Sequence, residues 1–397
     1  MSTRRLSVPE LVAMVAFATS MVAMSIDSML PAIGAIASSL GAAGANDRQL
    51  VVMMFFGGLT AGQLVYGPVA DALGRRRAMF VGLGVMALGT LMCATATTFP
   101  VLLAGRLLAG FGAAGPRIVS TAVVRDLHAG REMARIVSIS MALFILVPII
   151  APSVGQGLLL VASWRAIFVM ILVMAAIVGI WFGIRQPETL APENRRPLSL
   201  RPVARAFAEA LGNRITRGYA LGGGIAYGAM IAFLGTAQQT FAEQYGLGER
   251  FPLYFAGLAS ALGTSAILNA RLVTRFGMRR ISGLALRLAT TVSVVSLVVA
   301  LATHGHPPLP VLIAYLAIVF FCHGLMFGNF NALAMEPMGH IAGSAAALIG
   351  SMTSLVSVVV GTVIGRAYDG TVFPLVAGIT CLMTTALVIT RRVERSL

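Results

Sequence analysis

The sequence is poor in charge, lacks lysine and has three cysteines among its 397 residues. Charged residues make up 11% of it, against about a quarter in a soluble domain. This shortage excludes a soluble enzyme and a chain with a bulky domain outside a membrane. Cys93, Cys322 and Cys381 are scattered through apolar runs without C-x-x-C spacing, so we expect neither a disulfide framework nor a cysteine metal site.

Grouped catalytic and metal-binding residues are also missing from the sequence. The five histidines, at 128, 304, 306, 323 and 340, form no H-E-x-x-H or similar group. No Ser/His or paired-Asp constellation falls at a shared depth within the apolar runs. We therefore expect no enzymatic activity, no cofactor and no bound metal.

Apolar residues, in contrast, make up 58% of the chain. A bilayer core needs roughly 20 apolar residues per helical span, so twelve spans would use about 240 residues. The pattern predicts an all-α polytopic membrane protein with twelve transmembrane helices in two six-helix bundles. The predicted spans are 9–32, 49–71, 78–97, 101–123, 134–160, 164–184, 217–243, 252–274, 281–302, 309–333, 341–366 and 372–390.

The first span begins with a capping pattern, in which Ser7 is followed by Pro9 and Glu10. Together with Arg4 and Arg5, the run as far as Leu30 has the outline of a signal peptide. Because eleven more apolar spans follow, we expect an uncleaved first helix.

All 29 basic residues are arginines, and the formal net charge is +15. They lie in short patches between apolar runs, so we expect no nucleic-acid partner. With the N-terminus inside, 23 arginines fall in the predicted inner segments and 4 in the outer ones, namely Arg48, Arg165, Arg250 and Arg366. Since arginine excess marks the cytoplasmic side, we predict an even number of spans with both termini in the cytoplasm.

The longest polar stretch runs from Arg185 to Arg217 and follows the sixth span. It predicts an N-terminal bundle over 1–184, a cytoplasmic central loop over 185–216 and a C-terminal bundle over 217–397. The segment 67–77 also aligns with 270–280 at an offset of 203 residues, about half the chain. This repeat is expected for two parallel six-helix halves.

The segment Gly67-Pro-Val-Ala-Asp71-Ala-Leu-Gly74-Arg75-Arg-Arg77 carries the most specific motif. Gly67 would allow two helices to approach closely, and Gly74 would permit a tight turn. The segment resembles the signature loop between helices two and three of the major facilitator superfamily. The resemblance implies that Asp71, Arg75 and Arg77 form a cytoplasmic latch between the two halves when the cavity opens outward.

Further features resemble the Bcr/CflA drug-export branch of that superfamily. They are Asp27 with Pro31, Arg125-Asp126, Pro148 with Pro152, Trp164–Phe168, Asn269–Arg271 and Ala334–Gly343. Antiporters of the superfamily carry a Gly-Pro and Gly-Gly pattern in the fifth span. Here Pro148, Pro152 and Gly155 match that pattern, whereas Ala151 and Gln156 interrupt it.

Two charged residues, Asp27 and Arg106, are predicted to lie inside the first and fourth spans, at a similar depth close to the outer side. An ionised Asp27 in a membrane span is costly, so we expect it to face a cavity, pair with a cation or take up a proton. Arg106 in the fourth span falls at a similar depth. We interpret the two as the proton-coupling pair, with a snorkelling Asp27 and a purely structural Arg106 as the alternatives.

In this superfamily spans one, four, seven and ten line the central cavity, which implies a set of substrate contacts. The stripes of methionine and aromatic residues on these spans are as easily explained by packing between helices. Arg117 could equally reach the lipid head groups on the inner side. The candidates are Phe17, Ser20, Met24, Arg117, Tyr227, Met230, Gln238, Met326 and Asn329.

The sequence is therefore interpreted as a proton-coupled exporter of small amphipathic compounds in the bacterial inner membrane. Its partners would be that substrate, protons and the lipid bilayer, and we expect it to act as a monomer. The alternatives are a metabolite carrier on the same fold, a sensor or scaffold, and an intramembrane enzyme.

Overall fold

A computed structural model describes residues 6–44, 46–195, 197–198 and 201–395, and every regular element among them is helical. The α-helices are α1 (Val8–Asp27), α2 (Ile33–Ser39), α3 (Leu50–Leu73), α4 (Arg75–Ala94), α5 (Phe99–Leu127), α6 (Gly130–Val161), α7 (Arg165–Arg185), α8 (Arg201–Gly212), α9 (Arg214–Gln238), α10 (Phe251–Phe276), α11 (Met278–Ala302), α12 (Leu309–Met335), α13 (Ala342–Arg366) and α14 (Phe373–Glu394).

Twelve helices in the described ranges are long and apolar enough to cross a membrane, which confirms the predicted fold class. Their bounds agree with the predicted spans to within a few residues, except in two places. The first span continues through a 3-10 turn to Ser39, and the tenth continues to Ile341. Which side the termini occupy stays a prediction, and Arg4, Arg5 and Arg196 of the arginine count lie outside the described residues.

The start of α1 keeps half of the predicted capping box. The Ser7 hydroxyl accepts a hydrogen bond from the backbone N–H of Glu10 at 3.4 Å. The Glu10 carboxylate does not return to Ser7; it accepts two bonds of 2.7 Å from Arg185 on α7. The Glu10 side chain therefore ties the first helix to the end of the sixth span instead of closing the capping box.

The chain divides into two compact units. The first comprises Met1–Ala43 and Met54–Leu200, and the second comprises Gly44–Met53 and Arg201–Leu397. The predicted bounds, with a cytoplasmic central loop over 185–216 between the two bundles, remain a prediction. One unexpected feature is that ten residues from the first half of the sequence belong to the second unit.

Those ten residues are held in the second unit by a polar cluster. Asp47 pairs with Arg366 at 3.0 Å, and Arg48 pairs with Glu243 at the end of the seventh span. Gln49 is buried and donates to the side-chain oxygen of Gln239 at 2.7 Å. A buried amide pair of this kind satisfies polar groups that would otherwise be costly inside a membrane protein.

Close helix contact in the first unit depends on small residues. A Cβ atom at Gly82 of α4 would lie 2.8 Å from Gly115 Cα on α5, and one at Gly105 would lie 2.8 Å from the Gly89 oxygen. Gly82 and Gly89 are seven residues apart on α4, as are Gly105 and Gly112 on α5, where a Cβ atom at Gly112 would overlap the Met86 backbone of α4. The two backbones therefore meet along a stripe.

The central loop contains a helix that the sequence analysis did not predict, α8. Its second residue is Pro202, and proline is tolerated there because the first N–H groups of a helix have no internal partner. Glu209 of α8 contacts His340 Nε2 at 2.5 Å, which anchors the helix within the second unit.

Candidate substrate and proton sites

Asp27 lies where the first span breaks. It is the last residue of α1, and its side chain is 5% exposed. Pro31 has no N–H group to bond the Asp27 carbonyl four residues earlier, so the regular helix ends there and a 3-10 turn follows. Within the described part of the chain Asp27 forms no ion pair. Interrupted helices of this kind form ion and substrate sites in other carriers.

Arg106 on α5 is 1% exposed and reaches the same part of α1. It donates to the Ser25 hydroxyl at 3.1 Å, and its guanidinium carbon lies 4.4 Å from the centroid of the Phe55 ring. The structure thus places Arg106 against a residue two positions before Asp27. Their electrostatic partnership stays a prediction.

The fifth-span motif packs against this break. A Cβ atom at Gly155 of α6 would overlap the backbone oxygen of Ser28, the residue after Asp27. Pro152 is buried and Pro148 half-buried, one and two turns earlier on the same helix. The glycine therefore permits backbone contact between α6 and α1 beside the buried carboxyl group.

The remaining candidates in the first unit differ in burial. Ser20 is buried, Phe17 and Met24 are half-buried, and Arg117 is exposed. Phe17 and Met24 lie on the stripe that leads to Asp27. A substrate contact at these four positions stays a prediction.

The candidates in the second unit form two groups. Tyr227 is half-buried, with its ring centroid 5.0 Å from that of Phe327 and 5.3 Å from that of His323. Met230 and Gln238, on the same helix, are also half-buried. This aromatic face is compatible with the predicted binding of amphipathic ligands.

Met326 and Asn329 belong to the interior of the second unit. Both side chains are buried, and Asn329 exchanges hydrogen bonds of 2.9 and 3.3 Å with Asn269 of α10. This reciprocal amide pair matches the packing alternative for Asn329. Sequence reasoning missed the pairing because Asn269 lies 60 residues away, although it noted both residues.

His323 is a buried residue that the sequence analysis set aside. Its ring packs against Tyr227, and no partner for its Nε2 atom is found among the residues that the structure describes. The signal that could have identified it is its position three residues before Met326, on the tenth span.

The signature loop forms a charged cluster at the ends of three helices. Arg75 is 4% exposed; its Nη1 lies 2.6 Å from Asp71, and its Nε lies 2.8 Å from Asp126 on α5. The structure therefore brings together two of the predicted latch residues. Asp126 was noted only as part of a family pattern, and its role as the second partner was missed.

Gly74 makes the turn that this cluster needs. Its φ of +92° is a conformation that favours glycine, and it caps α4. Glu188 accepts hydrogen bonds from the backbone N–H groups of Arg75 and Arg76 at 2.8 and 3.1 Å. A carboxylate at a helix N-terminus is favoured by the helix dipole. Arg77, the third predicted latch residue, is exposed.

The predicted role of Gly67 in close helix contact is wrong. A Cβ atom built there would meet no heavy atom within 4 Å among the described residues. The close approach of α3 lies at Gly58 and Gly62, where a Cβ atom would collide with α5. The motif indicated that a glycine of α3 makes a close contact. Which glycine does so depends on where α3 and α5 cross.

The signature loop has a structural counterpart in the second unit. Gly277, which aligns with Gly74, has a φ of +78° and likewise precedes the first residue of a helix, α11. The charges differ, because Thr274 replaces Asp71 and Met278 replaces Arg75. The repeat thus preserves the turn but not the buried ion pair.

The chain is similar in sequence to several known proteins. The sequence model of the Major Facilitator Superfamily matches residues 15–362. An uncharacterized MFS-type transporter of Bacillus subtilis, YdgK, is 32% identical over 86% of this chain and 85% of that protein. A bicyclomycin resistance protein homolog of Haemophilus influenzae is 27% identical over 88% of this chain and 87% of that protein. The multidrug resistance protein MdtL of Salmonella typhi is 31% identical over 48% of this chain and 47% of that protein.

Solved structures share the fold. The xylose transporter XylE from E. coli has a TM-score of 0.72 at 13% identity, covering 97% of both chains. The human organic anion transporter MFSD10 has a TM-score of 0.68 at 19% identity, covering 98% of this chain and 99% of that one. Because the family model matches most of the chain and a 32% identical relative spans most of both sequences, this chain belongs to the Major Facilitator Superfamily of transporters.

Proposed function

We propose that this transporter exports small amphipathic compounds across the bacterial inner membrane in exchange for protons. The observation that carries the proposal is the buried carboxyl group of Asp27 at the break in the first span. An ionised carboxylate inside a membrane is costly, whereas a protonated one is tolerated. A group placed in this way can link proton uptake to the packing of the surrounding helices.

The coupling would operate through the contacts of α1. When Asp27 is protonated, the break packs against Gly155 of α6 as a neutral surface. When it is ionised, the nearby guanidinium of Arg106 supplies the compensating charge. A carrier needs only a difference in stability between its two facing states, and this change of charge supplies one.

The driving force is sufficient for export. One proton that enters across 100 mV releases about 2.3 kcal/mol. At about 1.4 kcal/mol per tenfold change, this supports a gradient of about fifty-fold for a neutral solute exchanged one-for-one.

The relatives support a drug-type substrate. One is named for bicyclomycin resistance and covers most of this chain, and another is named for multidrug resistance and covers about half of it. The aromatic face of Tyr227, His323 and Phe327 would suit amphipathic ligands. We place the chain in the Bcr/CflA branch on the residues quoted above, with both termini in the cytoplasm and a monomer as the working form.

A metabolite carrier is the second candidate. It is favoured by the fifth-span motif, in which Ala151 and Gln156 interrupt the antiporter pattern. Counterflow of metabolites in proteoliposomes, compared with susceptibility to a panel of drugs in an efflux-deficient bacterium, would distinguish the two.

The first prediction tests the coupling residue. Asp27→Asn should abolish proton-driven export while substrate binding is kept, because asparagine resembles the protonated acid. The measurements are drug-induced proton release and drug uptake by inverted proteoliposomes. Glu249→Gln, at an exposed acidic residue in the other unit, is the matched control. Wild-type proton release by the Asp27 variant would move the coupling site elsewhere, with Glu243 and Glu336 next to be tested.

A further inference from the structure

A cavity in the second unit lies apart from every candidate site described above. It has a volume of about 160 Å³, is open to the surface on one side and is lined by α9, α11, α12 and α14. One water molecule occupies about 30 Å³ in the liquid, so the cavity has room for a polar head group. Its polar lining consists of Tyr219, Ser282, Arg287, Thr390, Arg391 and Glu394.

The charges in this cavity are arranged for an anion. Arg287 and Arg391 contribute two positive charges, and neither forms an ion pair within the described ranges. The single carboxylate of the lining, Glu394, accepts a hydrogen bond from the Tyr219 hydroxyl at 3.0 Å. The lining therefore has an excess of one positive charge and an acceptor at one end.

The surface beside the cavity is apolar. Leu284 and Leu288, on either side of Arg287 in α11, are 54% and 50% exposed. Val388, three residues before Arg391 in α14, is 43% exposed. Exposed leucine and valine on a membrane span face acyl chains. A ligand that suits both surfaces has a negative head group and a hydrocarbon tail.

We propose that this cavity binds the head group of an anionic phospholipid, with its phosphate between Arg287 and Arg391. Hydroxyl groups of a phosphoglycerol head group would then donate to Glu394. Basic pockets between transmembrane helices are known to bind anionic head groups. The arginine count puts these helix ends on the predicted cytoplasmic side, where such lipids meet the protein from one leaflet.

The test uses the purified full-length protein in detergent. Native mass spectrometry should show retention of phosphatidylglycerol in preference to phosphatidylcholine. Arg287→Gln and Arg391→Gln should each weaken retention by about five-fold, which corresponds to the roughly 1 kcal/mol that one basic residue contributes to binding an anionic lipid surface. Arg391→Lys should keep most of the binding, since lysine retains the charge, and it guards against a variant that merely misfolds.

Arg280→Gln is the matched control. Arg280 is on the same helix as Arg287 but lies near the ring of Phe276, outside the cavity. Equal loss of lipid in this variant would overturn the location of the site. Equal retention of phosphatidylcholine would overturn the anionic preference, and displacement of the lipid by inorganic phosphate at equal concentration would show a simple anion site instead.

Discussion

Asp27 of α1 and Arg106 of α5 are both buried, and Arg106 contacts α1 two residues before Asp27, but the two can respond to burial in different ways. Arginine cannot lose its proton in a protein, so its charge must be met by its neighbours. Ser25 supplies a hydrogen-bond acceptor, and the ring of Phe55 supplies a cation–π contact. Asp27 can become neutral by accepting a proton. In the proposed mechanism the carboxyl group is therefore the titrating member and the guanidinium the fixed one.

The second prediction follows from the shape of the guanidinium. Arg106→Lys keeps the charge but loses the planar group that lies over Phe55 and bonds Ser25, and the two cations are not interchangeable at such a site. We expect at least a tenfold loss of transport with less change in expression. The measurement is drug efflux at matched protein level. Arg125→Lys, exposed on the same helix, should be close to wild type, and a fully active Arg106 variant would contradict the role.

At the residue scale, burial was easier to predict than partners. Asp27 was expected to be buried because a charged residue inside an apolar run is costly. Ser25 and Phe55 were not identified as partners of Arg106, because α1, α3 and α5 meet only in the folded chain. Gly67 shows the same limit, since close contact depends on where two helices cross.

The coupling proposal depends on the contact between α1 and α6. The third prediction is that Gly155→Ala forces these backbones apart, because its methyl group would overlap the Ser28 oxygen. Overpacking of this kind costs about 1–3 kcal/mol, so the melting temperature and the rate of efflux should both fall. Gly157→Ala, two residues away with open space around it, should change neither. An equal loss in both variants would show that the contact at Gly155 is not responsible, because alanine alone favours a helix more than glycine does.

The ends of α3, α4 and α5 are joined through Arg75. The fourth prediction compares its two partners. The side chain of Asp126 is 15% exposed, and that of Asp71 is 41% exposed. Asp126→Asn should lower thermal stability more, because a buried cation loses its better shielded partner. Asp71→Asn should leave stability nearly unchanged, since exposed ion pairs contribute little, but should impair turnover. The measurements are melting in detergent and efflux at matched expression. A larger stability loss at Asp71 would contradict this order.

Whole helices were predicted well where hydrophobicity alone defines them. The twelve spans are recoverable because each needs a long apolar run. The helix α8 was missed because it lies in the polar stretch that was predicted to be a loop, although its Pro202 falls where a helix accepts proline. The Glu188 cap on α4 was missed for a different reason, because it comes from a segment more than 110 residues later in the chain.

At the scale of the whole molecule, the distribution of arginine predicts orientation. The fifth prediction is that Arg250→Cys reacts with an impermeant thiol reagent from outside, and Arg195→Cys only after the membrane is opened. Both positions are exposed, and the background should lack Cys93, Cys322 and Cys381. The reverse labelling would overturn every assignment of sides made here.

The repeat between the halves has the same turn and different charges. Gly74 and Gly277 share a positive φ, and each precedes a helix. Sequence alignment at an offset of 203 residues was enough to predict this turn. The alignment also shows that Met278 replaces Arg75 in the second copy. It could not predict that Arg75 is buried against Asp126, because Asp126 comes from another helix.

The inclusion of Gly44–Met53 in the second unit has a consequence for expressing the two halves separately. A polypeptide that begins at Arg201 would contain all the later helices but lack these ten residues. It would leave the buried amide of Gln239 without its partner Gln49, and Arg366 and Glu243 without Asp47 and Arg48. A half-length polypeptide made in this way should therefore require the other half to be co-expressed. A circular permutant should keep α3 uncut, because the first residues of that helix belong to the second unit.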